Sequence, residues 1–194
     1  MRRVPGGDGE AVHYLLRTSP ETIRFNLKSS RGPSMLKLYR LASPKKAYWE
    51  TWEGEGGVHV VHWGELGTRG SSKEVKSSLF RKAKSLIQKD IDVLIEQGFA
   101  PFAAEDHATL MIEYAVEGMG SPVDLDKRHR LEERMNETLG WTGLGACDGG
   151  SIGSGTMEVC NFVVDYEVAK RVIVEDLVGT EFSNYTRIYD EGAE

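Results

Sequence analysis

The side chains able to do chemistry are few and widely spaced. His59 and His62 stand three residues apart in Val58-His59-Val60-Val61-His62. On a strand, that spacing points two side chains to opposite faces, so the pair cannot easily share a metal ion. Cys147 and Cys160 belong to no CxxC pair, so they do not build a zinc site. A nucleophilic thiol needs a neighbouring base or cation to lower its pKa. Cys147 instead adjoins Asp148, and Cys160 sits among Val159, Phe162 and Val163, where a buried, inert thiol is expected. The glycine-rich run from Gly143 to Gly155 invites a phosphate-loop reading. It holds no lysine, however, and leads into a strand, whereas Walker and dinucleotide loops both open a helix. A twisted hairpin or a bulge is expected there instead. With no convergent catalytic set, the chain is expected to be a binding protein rather than an enzyme, with no cofactor and no metal.

Charge is unevenly placed. Residues 1–101 hold 17 Lys and Arg against 11 Asp and Glu, and residues 102–194 hold 7 against 19, within an overall net charge of −6. This contrast suggests two units with different partners. Asp124, Asp126, Glu132, Glu133 and Glu137 gather on or before one helical segment, and Glu175, Asp176 and Glu181 at the end of another. A strongly acidic domain can mimic nucleic acid or neutralise a basic partner. No apolar run approaches the roughly 20 residues of a membrane span. The N-terminal stretch MRRVPGGDGEAVHYLL lacks the apolar core of a signal peptide. These features predict no membrane association, a cytoplasmic location and reduced thiols.

The elements that must position these residues follow from periodicity. Residues 1–33 lie between breaker clusters around Pro5–Gly9 and Ser29–Pro33, with one short alternating stretch, Ile23–Leu27. A flexible basic arm, an added edge strand and a segment upstream of the true start all fit them. Strands are expected around residues 35–41, 47–53 and 58–63, with a hairpin connection at Gly54–Gly57. A fourth is expected over 72–77. Three glycines within residues 64–70 permit positive φ or close backbone approach. Leu79, Ala83, Leu86, Ile87, Ile91, Leu94 and Ile95 form one apolar helical stripe, with Ser77 or Ser78 as N-cap and Gly98 as stop. After a linker at 103–108, strands near 109–116, 157–164 and 185–189 alternate with helices near 125–139 and 166–178. If the glycine-rich segment begins with a strand, the order is β-α-β-β-α-β, that of a ferredoxin-like domain.

The stretch YWETWEGEGGVHVVHWGELGTRGSSKEV resembles WGR domains, in which an aromatic strand and hairpin lead to a strand ending in Trp-Gly-Arg, then a glycine-rich run and a helix. Here the signature reads Trp63-Gly64-Glu65, followed by Leu66-Gly67-Thr68-Arg69-Gly70. The helix close Gln97-Gly98-Phe99 is also similar to the family's lysine-glycine-aromatic ending. WGR domains occur in some poly(ADP-ribose) polymerases, where they bind DNA ends and relay activation, and in small stand-alone bacterial proteins. The resemblance implies that Trp63 stacks on a nucleic-acid sugar or base and that basic residues meet phosphates. This sequence departs from the pattern at Glu65, where a carboxylate replaces the guanidinium, repels phosphate and loses the bidentate fork. Arg69 and Lys73 lie close enough in sequence to compensate. No residue of a polymerase catalytic domain is assignable. The run Cys147–Met157 is similar to a segment of small uncharacterised bacterial α/β domains.

The expected architecture is therefore α+β: an arm at 1–33, a WGR-like antiparallel sheet with one helix at 34–101, and an acidic ferredoxin-like domain at 109–194. The expected function is non-enzymatic binding of nucleic acid or a protein partner through Trp63, Gly64, Glu65, Arg69 and Lys73. The alternative is an immunity or antitoxin type of protein whose acidic C-terminal domain caps a basic partner.

Overall fold

A computed structural model of the chain describes residues 35–77 and 82–193. The arm at 1–33, its strand candidate Ile23–Leu27, Ser78 and Leu79 lie outside the described residues. The fold is mixed α+β, with two antiparallel four-stranded sheets and three helices.

The first sheet runs in sequence order through β1 (Leu36–Arg40), β2 (Ala47–Glu53), β3 (His59–Glu65) and β4 (Ser71–Val75). Alternation along β1, β2 and β3 gives it two faces that are both buried in large part. Leu38, Trp49 and Val61 share one face and are buried against α1 (Ala83–Glu96), whose inward residues are Ala83, Ile87 and Ile91. Ion pairs from Lys84 to Glu53 and from Lys73 to Asp90 fasten α1 across that face. The opposite face carries Tyr39, Tyr48, Glu50 and His62, all buried. Helix α1 starts later than the apolar stripe suggests. Lys82 is still extended, and the first helical amide, of Ala83, donates to Ser77 Oγ at 3.1 Å. Ser77 thus caps the helix from six residues upstream.

The segment expected as a linker contains a short 3₁₀ turn, Ala104–Asp106, and leads straight into β5 (Ala108–Ala115). Then come α2 (Pro122–Trp141), β6 (Gly145–Gly153), β7 (Thr156–Val163), α3 (Tyr166–Leu177) and β8 (Arg187–Asp190). The sheet order is β6-β7-β5-β8 with every neighbouring pair antiparallel. Helix α2 begins with a capping box: Ser121 accepts from the Asp124 amide, and the Asp124 carboxylate accepts from the Ser121 amide. Leu110, Ile112, Tyr114, Val159 and Val163 line the inner face of the sheet. They meet Leu131, Met135 and Leu139 of α2 and Ala169, Ile173 and Leu177 of α3. Each such aliphatic side chain contributes roughly 2 kcal/mol of apolar burial.

The glycine-rich run forms β6, in a hairpin with β7 and with a bulge between Cys147 and Gly149. Lying at the sheet edge, it is held by α2: Asn136 Oδ1 accepts from the Cys147 amide at 3.0 Å, and Arg128 Nη1 donates to the Gly150 carbonyl at 2.7 Å. Two backbone groups of an edge strand are thereby closed to a foreign strand. Cys160, expected to be buried, is half-exposed, because its parity on β7 places it with Glu158 and the exposed Phe162 on the face without helices.

One hydrophobic core joins the two sheets, since Tyr39, Tyr48 and Leu66 cluster with the inner residues of the second sheet. Gly143 makes this possible. Its φ is +70°, and a Cβ there would run into the Tyr48 ring. Gly98 offers a control, because it also has positive φ (+85°) but open space around it. Gly143→Ala is expected to destabilise the protein by about 2–4 kcal/mol, from left-handed strain plus overpacking. Gly98→Ala is expected to cost only about 1 kcal/mol, from the backbone alone. Urea unfolding of the two variants checks the difference.

Candidate binding site

Trp63 and Trp49 are direct cross-strand partners, and both face α1. The end of α1 does not close over them. A cleft of about 440 Å³ opens between the sheet and the helix, with Trp49, Trp63 and Phe99 as aromatic walls and Arg40, Lys45 and Lys46 at one end. A second cleft of about 290 Å³ shares Trp49, Trp63, Leu94 and Gln97 with the first and continues to Lys73 and Asp90. Trp63 is the ridge between the two and stays 38% exposed. The Lys73 ammonium lies 5.6 Å from its ring centroid and 3.4 Å from the Asp90 carboxylate.

Of the residues singled out in the sequence, Trp63, Gly64 and Glu65 line the larger cleft, and Trp63 and Lys73 the smaller. Glu65 is exposed, with no cation within ion-pair distance of its carboxylate among the described residues, while its carbonyl accepts from the Thr68 amide and hydroxyl. Arg69 goes elsewhere. Its guanidinium pairs with Glu137 of α2 at 3.3 Å, on the other side of the sheet.

The glycines of the signature serve packing. Gly64 lies so close to the Gly70 Cα that a side chain would not fit. Gly67, at φ +89°, presses on Val168 of α3, and its amide donates to the Thr142 carbonyl at 3.0 Å. The turn after Trp63 is therefore built into the second half of the molecule.

A buried polar clasp holds that turn. Tyr48 Oη lies 3.1 Å from His62 Nε2 and donates to the carbonyls of Thr68 (3.1 Å) and Trp141 (3.3 Å). His62 is 1% exposed; its Nε2 donates to the Arg69 carbonyl at 2.7 Å, and its Nδ1 sits 2.7 Å from Glu50 Oε1. Lys37 completes the set 3.0 Å from Glu50 Oε2. Burial, helped by the Glu50 charge, pushes the Tyr48 hydroxyl up to about 12, so it stays a neutral donor. His59 points to the opposite face of β3 from His62. Among the described residues no group of three His, Cys, Asp or Glu side chains could hold a metal ion.

The residues missed in the sequence are Arg40, Lys45, Lys46, Trp49 and Phe99. Parity was the available signal for Arg40, which lies two residues from Leu38 and so shares the face of Trp49 and Trp63. The acidic segments are largely tied down. Asp126 and Glu181 pair with Arg130, Glu132 with Arg128, and Asp176 with Arg134. Burial raises the Cys147 thiol from its ordinary value of about 9 to about 11, and raises Cys160 as well.

No family model matches the chain, nor does any curated protein or solved structure.

Two predictions follow from this geometry. His62→Leu leaves the buried Glu50 carboxylate without its imidazole partner and is expected to cost about 3 kcal/mol, whereas His62→Leu with Glu50→Leu costs clearly less than the sum of the single changes. Chemical denaturation of the three variants reads this coupling. The Cys147 shift favours the neutral thiol, so its contribution to stability is complete below about pH 9 and fades as pH rises towards about 11. Both thiols are expected to react slowly with a thiolate-selective disulfide reagent near pH 8 while folded and rapidly in denaturant.

Proposed function

We propose that this chain is a non-enzymatic binding module, with a WGR-like sheet and helix joined to a ferredoxin-like unit, and that it takes a nucleic-acid strand along the Trp63 groove. The strand order β6-β7-β5-β8, all antiparallel, supports the ferredoxin-like reading, since it interleaves two split β-α-β units. The observation that carries the functional reading is the half-exposed Trp63 ridge between two clefts with cations at both ends. An aromatic face takes any base, and flanking cations meet the backbone. The clasp favours a binding role over catalysis: His62 is engaged through both ring nitrogens, and both thiols are held in the neutral form. Binding of a basic protein by the acidic half draws less support, because many of its carboxylates already have arginine partners.

Fluorescence-anisotropy titration with labelled single-stranded, nicked and duplex DNA at ~50 and ~200 mM salt tests the proposal. Saturable binding that weakens steeply with salt and drops in Trp63→Ala is the expected result. Glu65→Arg, which restores the family's cation at the rim, is expected to tighten binding severalfold. Arg69→Ala is expected to change affinity little, because Arg69 faces Glu137. Absence of binding at the lower salt overturns the proposal.

A further inference from the structure

The geometry points to a phosphate-binding site at Arg40, at the cationic end of the larger cleft, where the guanidinium receives a phosphate oxyanion and Lys45 supplies the second positive charge. Arg40 is partly buried, and its guanidinium carbon lies 5.1 Å from the Phe99 ring centroid. Its Nε is shielded from solvent and donates to nothing, and among the described residues no carboxylate stands within ion-pair distance of it. Lys45 is exposed and likewise has no acidic partner among the described residues, whereas neighbouring Lys46 is paired with Asp165. Proteins rarely leave a half-buried cation uncompensated, because desolvation penalises it until a counter-charge arrives. The Phe99 ring restrains the guanidinium, whose planar fork favours a bidentate oxyanion over a point charge. Glu65 on the same cleft sets the limit on affinity, since a phosphate there must tolerate a nearby carboxylate.

The site deepens the strand-binding proposal by naming where a phosphate sits, yet it can be tested without any nucleic acid. The probe is inorganic pyrophosphate, titrated at constant ionic strength into the full chain with isotope-labelled arginine. The readouts are the arginine Nε–H resonances and the thermal midpoint. One resonance, assigned by its loss in Arg40→Met, is expected to move saturably while the midpoint rises. Without ligand, Arg40→Met is expected to unfold no earlier than the wild type, because it removes an uncompensated charge, and its midpoint is expected to ignore pyrophosphate. Lys45→Gln weakens the pyrophosphate response and leaves unliganded stability unchanged. An Arg40 resonance that pyrophosphate does not move overturns the inference, as does a midpoint rise that persists in Arg40→Met. If Arg40→Met fails to fold, Arg40→Lys, which keeps the charge and removes the Nε–H, supplies the assignment. A parallel titration with oligo-dT separates the two proposals: oligo-dT binding with a still Arg40 leaves the Trp63 reading and removes this one, and a moving Arg40 without oligo-dT binding does the reverse.

Discussion

Tyr48 is the side chain on which the rest of the structure depends. Its ring packs so close to Gly143 that no Cβ would fit there, and its hydroxyl reaches the Thr68 and Trp141 carbonyls and the ring of His62. One residue of the first sheet thus touches the turn after Trp63, the end of α2 and the polar clasp. Apolar contact alone is non-directional, whereas the one hydroxyl proton, shared between the Thr68 carbonyl of the first half and the Trp141 carbonyl of the second, ties the two together directionally. The glycines at 64, 70 and 143 follow from this constraint, since a Cβ at each would come too close to the Tyr48 side chain, to neighbouring backbone or to both.

The consequence for the candidate site is a division of labour between the two faces of one strand. β3 sends Val61 and Trp63 towards α1, and His62 and Gly64 towards the second half of the chain. The binding face keeps one tryptophan half open, with cations around it. The structural face is buried, glycine-lined and hydrogen-bonded. Arg69 belongs to the second face through Glu137, although it stands only six residues beyond Trp63. Proximity in sequence is thus a poor guide to the site's membership, and strand parity is a better one.

Much of the architecture was legible because its causes are local. Alternation in β2 and β3 and the stripe on α1 are written within a few residues, whereas the Ser121–Asp124 capping box went unread and α2 begins three residues before the expected 125. The acidic clusters were legible as charge but not as function, because their arginine partners stand on other turns or other elements. The start of α1 was placed too early because Ser77, expected as the residue just before the helix, bonds the amide of Ala83 six residues on. β6 could be placed only conditionally, since a glycine-rich strand has no side-chain pattern and is held by β7 and by Asn136 and Arg128 of α2. The clasp was illegible for a different reason: nothing in His62 or Glu50 announces that both will be buried, and Trp141 is 93 residues from Tyr48. Arg40 was overlooked because a lone cation at a strand end ordinarily points to water.

The shared core also bears on how the chain comes into being during synthesis. The first sheet leaves the ribosome early, and α1 can cover one of its faces at once. Its other face must wait: Gly143 seals Tyr48, Val168 receives Gly67, and Asp165 holds Lys46 across 119 residues. Through that interval the nascent chain carries a half-finished sheet with an aromatic, ionisable face still uncovered. Contacts this distant in sequence slow folding, because loop-closure entropy is lost before the contact is gained. The emergence of α3, more than any event within the first hundred residues, is what lets the first sheet become permanent.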